Sequence, residues 1–174
     1  ARHRVRSCDS WQAGLVQDGL PDTARGMTGE GVLVGVVDTG IAWQHPDFQT
    51  SGGSTRIAVI WDQTDSLGPA PAGFGYGTGW SAPEIDLGLC REVDRTYFGH
   101  GTHVTGIAAG SGRATGNGYP QFQYVGVAPH ARLGVVNTSF YLTDIVDGVA
   151  WLFQRADALG LPCVVNLSLG SNYG

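Results

Sequence analysis

The sequence predicts an α/β domain built on a mainly parallel sheet. An unbroken apolar run at 32–37 and the largely apolar stretches 56–61 and 131–136 read as strands buried on both faces, unlike the alternating pattern of a half-solvated sheet. Helical patterns over 99–110 and 142–159 separate them from one another and from a further strand over 162–169, and strand–helix alternation marks parallel strands joined by crossovers. The size agrees: 174 residues, 42% hydrophobic and 14% charged, suit one domain with a sizeable core.

In chain order, Trp11, Leu15 and Val16 stand at helical spacing behind an Asp9 or Ser10 cap, and Pro21 ends the pattern, so a short surface helix is expected over 9–20. After the turn Thr28-Gly29-Glu30-Gly31, the run Val32–Val37 ends in Asp38-Thr39-Gly40. The strand Arg56–Trp61 leads into a Gly/Pro- and aromatic-rich insertion, about 62–95, expected to be a functional surface loop or to hold little regular structure. Gly99-His100-Gly101 then opens a helix whose Val104, Ile107 and Ala108 recur at the spacing of a buried face. A Gly/Asn-rich loop covers 111–120, and Gly126-Val127-Ala128-Pro129 leads into the strand 131–136. Over 142–159, Ile145, Val146, Val149, Leu152, Phe153 and Ala156 trace an apolar face, and Gly160 suits a left-handed C-terminal residue.

Composition narrows the function. The net charge is −5, all ten basic residues are arginine, and no basic stripe is present, which argues against a nucleic-acid partner. No run of 18 apolar residues exists, so no membrane span is expected. The chain starts at Ala1 without an initiator Met or a signal-peptide pattern, and a processed or recombinant start is expected. Cys8, Cys90 and Cys163 lack CxxC spacing, which argues against zinc and thioredoxin chemistry; their pairing stays open, and Cys163 reads as core filler. No phosphate-cradling glycine motif follows a strand, which disfavours a small-molecule α/β enzyme.

Chemistry centres on His100. An imidazole at the mouth of a helix suits a general base near neutral pH. In parallel sheets ligands gather at the carboxyl ends of strands, where Asp38 and Ser168-Leu169-Gly170 fall. A buried Asp38 bonded to one ring nitrogen would fix the tautomer of His100. His103, three residues on, reads as a packed histidine bonded to backbone.

Four blocks in order carry a family resemblance. Gly31-Val32-Leu33-Val34-Gly35-Val36-Val37-Asp38-Thr39-Gly40-Ile41, with His45-Pro46-Asp47-Phe48, resembles the aspartate motif of subtilisin-like serine peptidases. Gly99-His100-Gly101-Thr102-His103-Val104-Thr105-Gly106 resembles their histidine motif, and Gly126–Pro129 and Val165–Gly170 two further blocks. The resemblance implies a three-layer subtilisin-like fold, with 1–174 supplying the N-terminal part of a peptidase domain. It implies Asp38 and His100 as catalytic residues, and Ser168, Leu169 and Gly170 as an extended substrate-binding edge. Leu142 and Ile145 would line an apolar subsite with Leu169, and the second binding edge falls near Ser139-Phe140.

The family's nucleophilic Ser and oxyanion Asn are not in the sequence, so a second chain or missing segment carrying them is the expected partner, with a polypeptide as substrate. Gly77-Thr78-Gly79-Trp80-Ser81 echoes the serine motif, but Ser81 is not expected to be the nucleophile, since no helix-forming segment follows it. A noncatalytic pseudopeptidase or regulatory peptide-binding protein is the alternative. Asp38 and His100 lie 62 residues apart, about twice the spacing usual in the family. The extra length includes Ile60-Trp61-Asp62-Gln63-Thr64, similar to a bacterial subgroup that includes spore-germination proteases. No cofactor is required. The resemblance offers Asp47 and the 111–120 loop for calcium, yet the loop adds only Asn117 as an obvious side-chain ligand, where hard cations need six or more oxygens. Secreted or periplasmic action is implied.

Overall fold

The computed structural model describes residues 27–94, 98–116 and 118–170. The helix expected over 9–20, Cys8, Asn117 and the last four residues lie outside them. In chain order the elements are β1 (Leu33–Asp38), a 3-10 turn (Pro46–Phe48), β2 (Ile57–Asp62), β3 (Thr78–Ser81), α1 (Ala82–Asp86), α2 (His100–Ala109), β4 (Arg132–Asn137), α3 (Leu142–Leu159) and β5 (Cys163–Asn166). The sheet order is β3-β2-β4-β1-β5, with β3 antiparallel to β2 and the other neighbours parallel. The mainly parallel α/β architecture is the one the apolar runs predict.

Every residue of β1 is buried, because helices cover both faces of the sheet. Val34 and Val36 pack in a cluster with Leu133, Val135 and Ala109, against which Val104 and Ala108 of α2 lean. Val37 and Val136 meet Trp151 and Leu152 of α3 on the other face. Glycine is required where α3 crosses the sheet: a Cβ on Gly134 would lie 2.7 Å from Leu152 Cδ2, and one on Gly35 would lie 2.9 Å from Leu152 Cδ1. The sheet backbone is thus the floor on which Leu152 rests.

The structure corrects six expectations. The 62–95 insertion contains an edge strand and a short helix. Trp80 on β3 is buried, and Trp61 lies 4.8 Å from Phe74 and 5.1 Å from Tyr76 between ring centroids, so aromatic burial ties the insertion down. A helix does follow Ser81: the N–H and hydroxyl of Ser81 both donate to Glu84 Oε2, at 2.7 and 2.6 Å, as the spacing Ser-x-x-Glu allows.

The fully buried residues of α2 are Gly101, Thr105 and Ala109, with Val104, Ile107 and Ala108 only partly covered. A close backbone contact, described below, selects this small-residue stripe. On α3 the buried residues are Gly148, Trp151, Leu152 and Ala156, whereas Val146 and Phe153 are 58% and 46% exposed. Those two are seven residues apart and share one edge of the helix, turned off the seam that faces the sheet. Gly160 does close α3 in the left-handed region, with φ of 66°.

β5 is shorter than expected and half-exposed, with Val164 56% exposed. It pairs with β1 alone among the described residues. Cys163 is correspondingly half-buried at the margin of a small cluster of Leu33, Ala58 and Ala156, not core filler.

Leu152→Ala should cost about 2–5 kcal/mol in urea denaturation, and Gly134→Ala about 1–3 kcal/mol. The double variant should lose less than the sum, since the new methyl enters space vacated by Leu152; strict additivity would contradict the contact.

Candidate active site

Asp38 ends β1, and the register aligns it with Asn137 and Asp62 at the carboxyl edge of the sheet. It is fully buried, and its Oδ1 accepts the Thr39 N–H at 2.7 Å. His100 is the first residue of α2, and its Nδ1 lies 2.7 Å from Asp38 Oδ1. A carboxylate can only accept there, so Nδ1 carries the proton and Nε2 is the basic nitrogen. The His100 side chain is 43% exposed, against none for Asp38, so the pair runs from the core to an open surface.

That surface is a cleft of about 750 Å³ lined by Thr39, His100, Phe140, Leu142, Ile145, Ser168, Leu169 and Gly170. Six of the residues proposed from sequence, His100, Leu142, Ile145, Ser168, Leu169 and Gly170, therefore meet in one space, with Asp38 directly behind. Ser139 does not join them. Its hydroxyl bonds the Asp144 carboxylate in the first turn of α3, and it lines a separate hollow; Phe140 borders both that hollow and the cleft. His103 is exposed, not packed against backbone, and the Ser81 hydroxyl is engaged by Glu84.

The approach of α2 to β1 depends on glycine. A Cβ on Gly101 would stand 2.3 Å from the Gly40 carbonyl oxygen and 3.2 Å from Asp38 Cβ. Side-chain bonds lock the contact. Thr39 Oγ1 accepts the Gly101 N–H at 2.8 Å and donates to Asp94 Oδ1 at 2.7 Å. Asp94 Oδ2 accepts from the Thr102 N–H and hydroxyl at 2.7 and 2.5 Å, and Thr102 Oγ1 takes the Ala42 N–H at 2.8 Å.

Asp94 is a positioning residue that sequence reasoning missed. The N-cap of α2 is Gly99, in the left-handed region with no side-chain cap, so Asp94 supplies the cap and the favourable charge at the helix start from six residues upstream. An acid shortly before an uncapped helix start was the available signal.

Glu92 was missed as well. It is 2% exposed; Oε1 accepts the Ile41 N–H at 3.1 Å, while Oε2 has no partner among the described residues. A Cβ on Gly40 would lie 2.0 Å from Oε1. Burial, reinforced by Asp62 and Asp94 and opposed by the Ile41 N–H, pushes the Glu92 carboxyl up to about 8. Burial likewise pushes the Cys90 thiol up to about 12, leaving it inert at neutral pH; Cys90 and Cys163 are both free thiols.

The Asp47 carboxylate is partly committed within the fold. Asp47 Oδ1 already accepts the Ala114 N–H at 2.7 Å, and its charge interacts with the Arg56 guanidinium. Among the described residues no three His, Cys, Asp or Glu side chains converge on a metal position.

A buried carboxylate–imidazole pair at the carboxyl edge of a parallel sheet, opening on a cleft, has the geometry of a general base. Residues 29–174 match the Subtilase family, and the chain belongs to it. It is 32% identical over 156 residues to Subtilisin DY of Bacillus licheniformis, covering 87% of this chain and 41% of that protein. It is 35% identical over 153 residues to the serine protease AprX of Bacillus subtilis, covering 84% and 27%. The CspB protease structure of Clostridium perfringens superposes with a TM-score of 0.74 at 29% identity, over 96% of this chain and 34% of that one. The chain thus spans well under half the length of these relatives.

Glu92 makes stability depend on pH. An unfolded glutamate titrates near 4.5 and the folded one near 8, so folding takes up a proton between these values. The contribution is complete below about pH 4.5 and is lost as pH rises through 8. Urea denaturation should show a fall of order 2–5 kcal/mol from pH 5 to 9 attributable to this group, and Glu92→Gln should remove that part of the slope. Parallel wild-type and variant profiles would contradict the burial argument.

Proposed function

We propose that this chain contributes the aspartate and histidine of a serine endopeptidase that hydrolyses polypeptides, with the nucleophilic serine and the oxyanion asparagine supplied by a second chain or a further segment. The observation that carries this reading is the 2.7 Å contact of Asp38 Oδ1 with His100 Nδ1 at the wall of the cleft. His100 Nε2 takes the serine proton as the hydroxyl attacks the scissile carbonyl, then gives it to the leaving amine. Asp38 holds the ring and stabilises the imidazolium between these steps. Substrate backbone lies along Ser168-Leu169-Gly170, with an apolar side chain against Leu142, Ile145 and Leu169.

The outer edge of β5 supports addition of the serine-bearing part. It has no strand partner among the described residues, and Val164 and Leu167 beside it are exposed. Family membership is the ground for secreted or periplasmic action, and no helix among the described residues is long and apolar enough to cross a membrane.

A fluorophosphonate probe should label a serine outside this chain in the assembled protein. Asp38→Asn should lower kcat about 10⁴-fold with little change in KM, and His100→Ala at least about 10³-fold. Peptide binding without labelling or turnover would favour the noncatalytic peptide-binding alternative. A stable, monodisperse, lone 18.3 kDa species in size exclusion with mass spectrometry would count against the split arrangement.

A further inference from the structure

We propose that the hollow at the amino-terminal ends of β2 and β4, at the opposite end of the strands from the His100 cleft, binds a polyvalent phosphate-type oxyanion between Arg113, Arg132 and His130, with Arg56 and Ser111 at its wall. The hollow has a volume of about 560 Å³. Three of the chain's ten arginines line it together with His130, and among the described residues no Asp or Glu does, although the chain as a whole carries a net charge of −5. Arginine forks match tetrahedral oxyanions with paired, charge-assisted hydrogen bonds.

The basic groups are available. Arg113 and Arg132 enter no ion pair among the described residues, and His130 commits Nδ1 to Thr28 Oγ1 at 2.9 Å, leaving Nε2 for a ligand. Arg56, 8% exposed, is the fixed wall: its terminal nitrogens donate to the carbonyls of Asp47, Ala109 and Ala131 at 2.8–2.9 Å. Two buried polar atoms of the lining lack a partner among the described residues, Arg56 Nε and Ser111 Oγ. Burial brings Arg56 down to about 10, with Asp47 working against the shift, so the charge is incompletely compensated and an anion would relieve it.

Nearby carboxylates are already engaged, Asp47 with the Ala114 N–H and Asp86 with the Thr55 N–H.

The full chain should be titrated with pyrophosphate by calorimetry and thermal melting, with ionic strength held constant by sodium chloride. Dissociation constants of about 0.1–1 mM and a concentration-dependent rise in melting temperature are expected. Arg113→Ala/Arg132→Ala should weaken binding at least about tenfold. Neither side chain donates a hydrogen bond within the described residues, so the double variant should keep the wild-type melting temperature without ligand. Arg91→Ala, whose arginine pairs with Asp65 elsewhere, should bind as wild type. Glycerol phosphate in parallel separates the sources: tight ester binding lost in the double variant assigns an organic phosphate, and pyrophosphate binding alone a free oxyanion. No binding of either below about 10 mM, undiminished binding by the double variant, or a larger thermal shift with calcium chloride would overturn the proposal.

Discussion

The site depends on a backbone contact: Gly101, in the first turn of α2, lies against the Gly40 carbonyl at a distance that leaves no room for a Cβ. This approach brings an imidazole on one element within 2.7 Å of a carboxylate at the end of another. Neither segment has a side chain that could span a wider gap. Once the backbones touch, Thr39 and Asp94 fasten them by hydrogen bonds that cross between the two segments. His100 is therefore held from its own helix start, and its ring has little freedom to leave Asp38.

Packing acids around such a site has a cost that the structure handles locally. Asp62 and Glu92 are buried near Asp38, and Asp94 is partly buried beside them. Asp94 is satisfied by the start of α2. Glu92 has one oxygen without a partner among the described residues, and it reaches neutral pH by keeping its proton. The arrangement places a stability penalty at alkaline pH beside the Asp38–His100 pair.

Across the domain the charge is polarised along the strands. Asp38, Asp62, Glu92 and Asp94 gather toward the carboxyl end, and Arg56, Arg113, Arg132 and His130 at the amino end. α2 runs between them with its dipole matched at both termini, Asp94 at the start and Arg56 on the Ala109 carbonyl at the finish. A helix so anchored is a rigid support for a residue in its first turn, and one fold accommodates an acid-rich end and a basic end.

Local pattern alone determined much of this. Apolar runs located β1, β2 and β4 within a residue or two, and Gly160 marked the end of α3, because burial on both faces and left-handed backbone leave direct traces in residue type. Asp38, His100 and the residues around Ser168 were legible for a related reason: chemistry restricts which side chains can stand there. Tertiary structure decided what depends on a distant neighbour. Ser139 turned to Asp144 because the start of α3 needed a partner, and Trp61 ordered an insertion whose glycines and prolines read as loop. The small-residue face of α2 was selected by Gly40, some sixty residues away in the chain. Asp94 and Glu92 acquired their roles in the same way. A carboxyl group in isolation gives no sign of the dielectric around it, and the fold places one at a helix start and the other in the core.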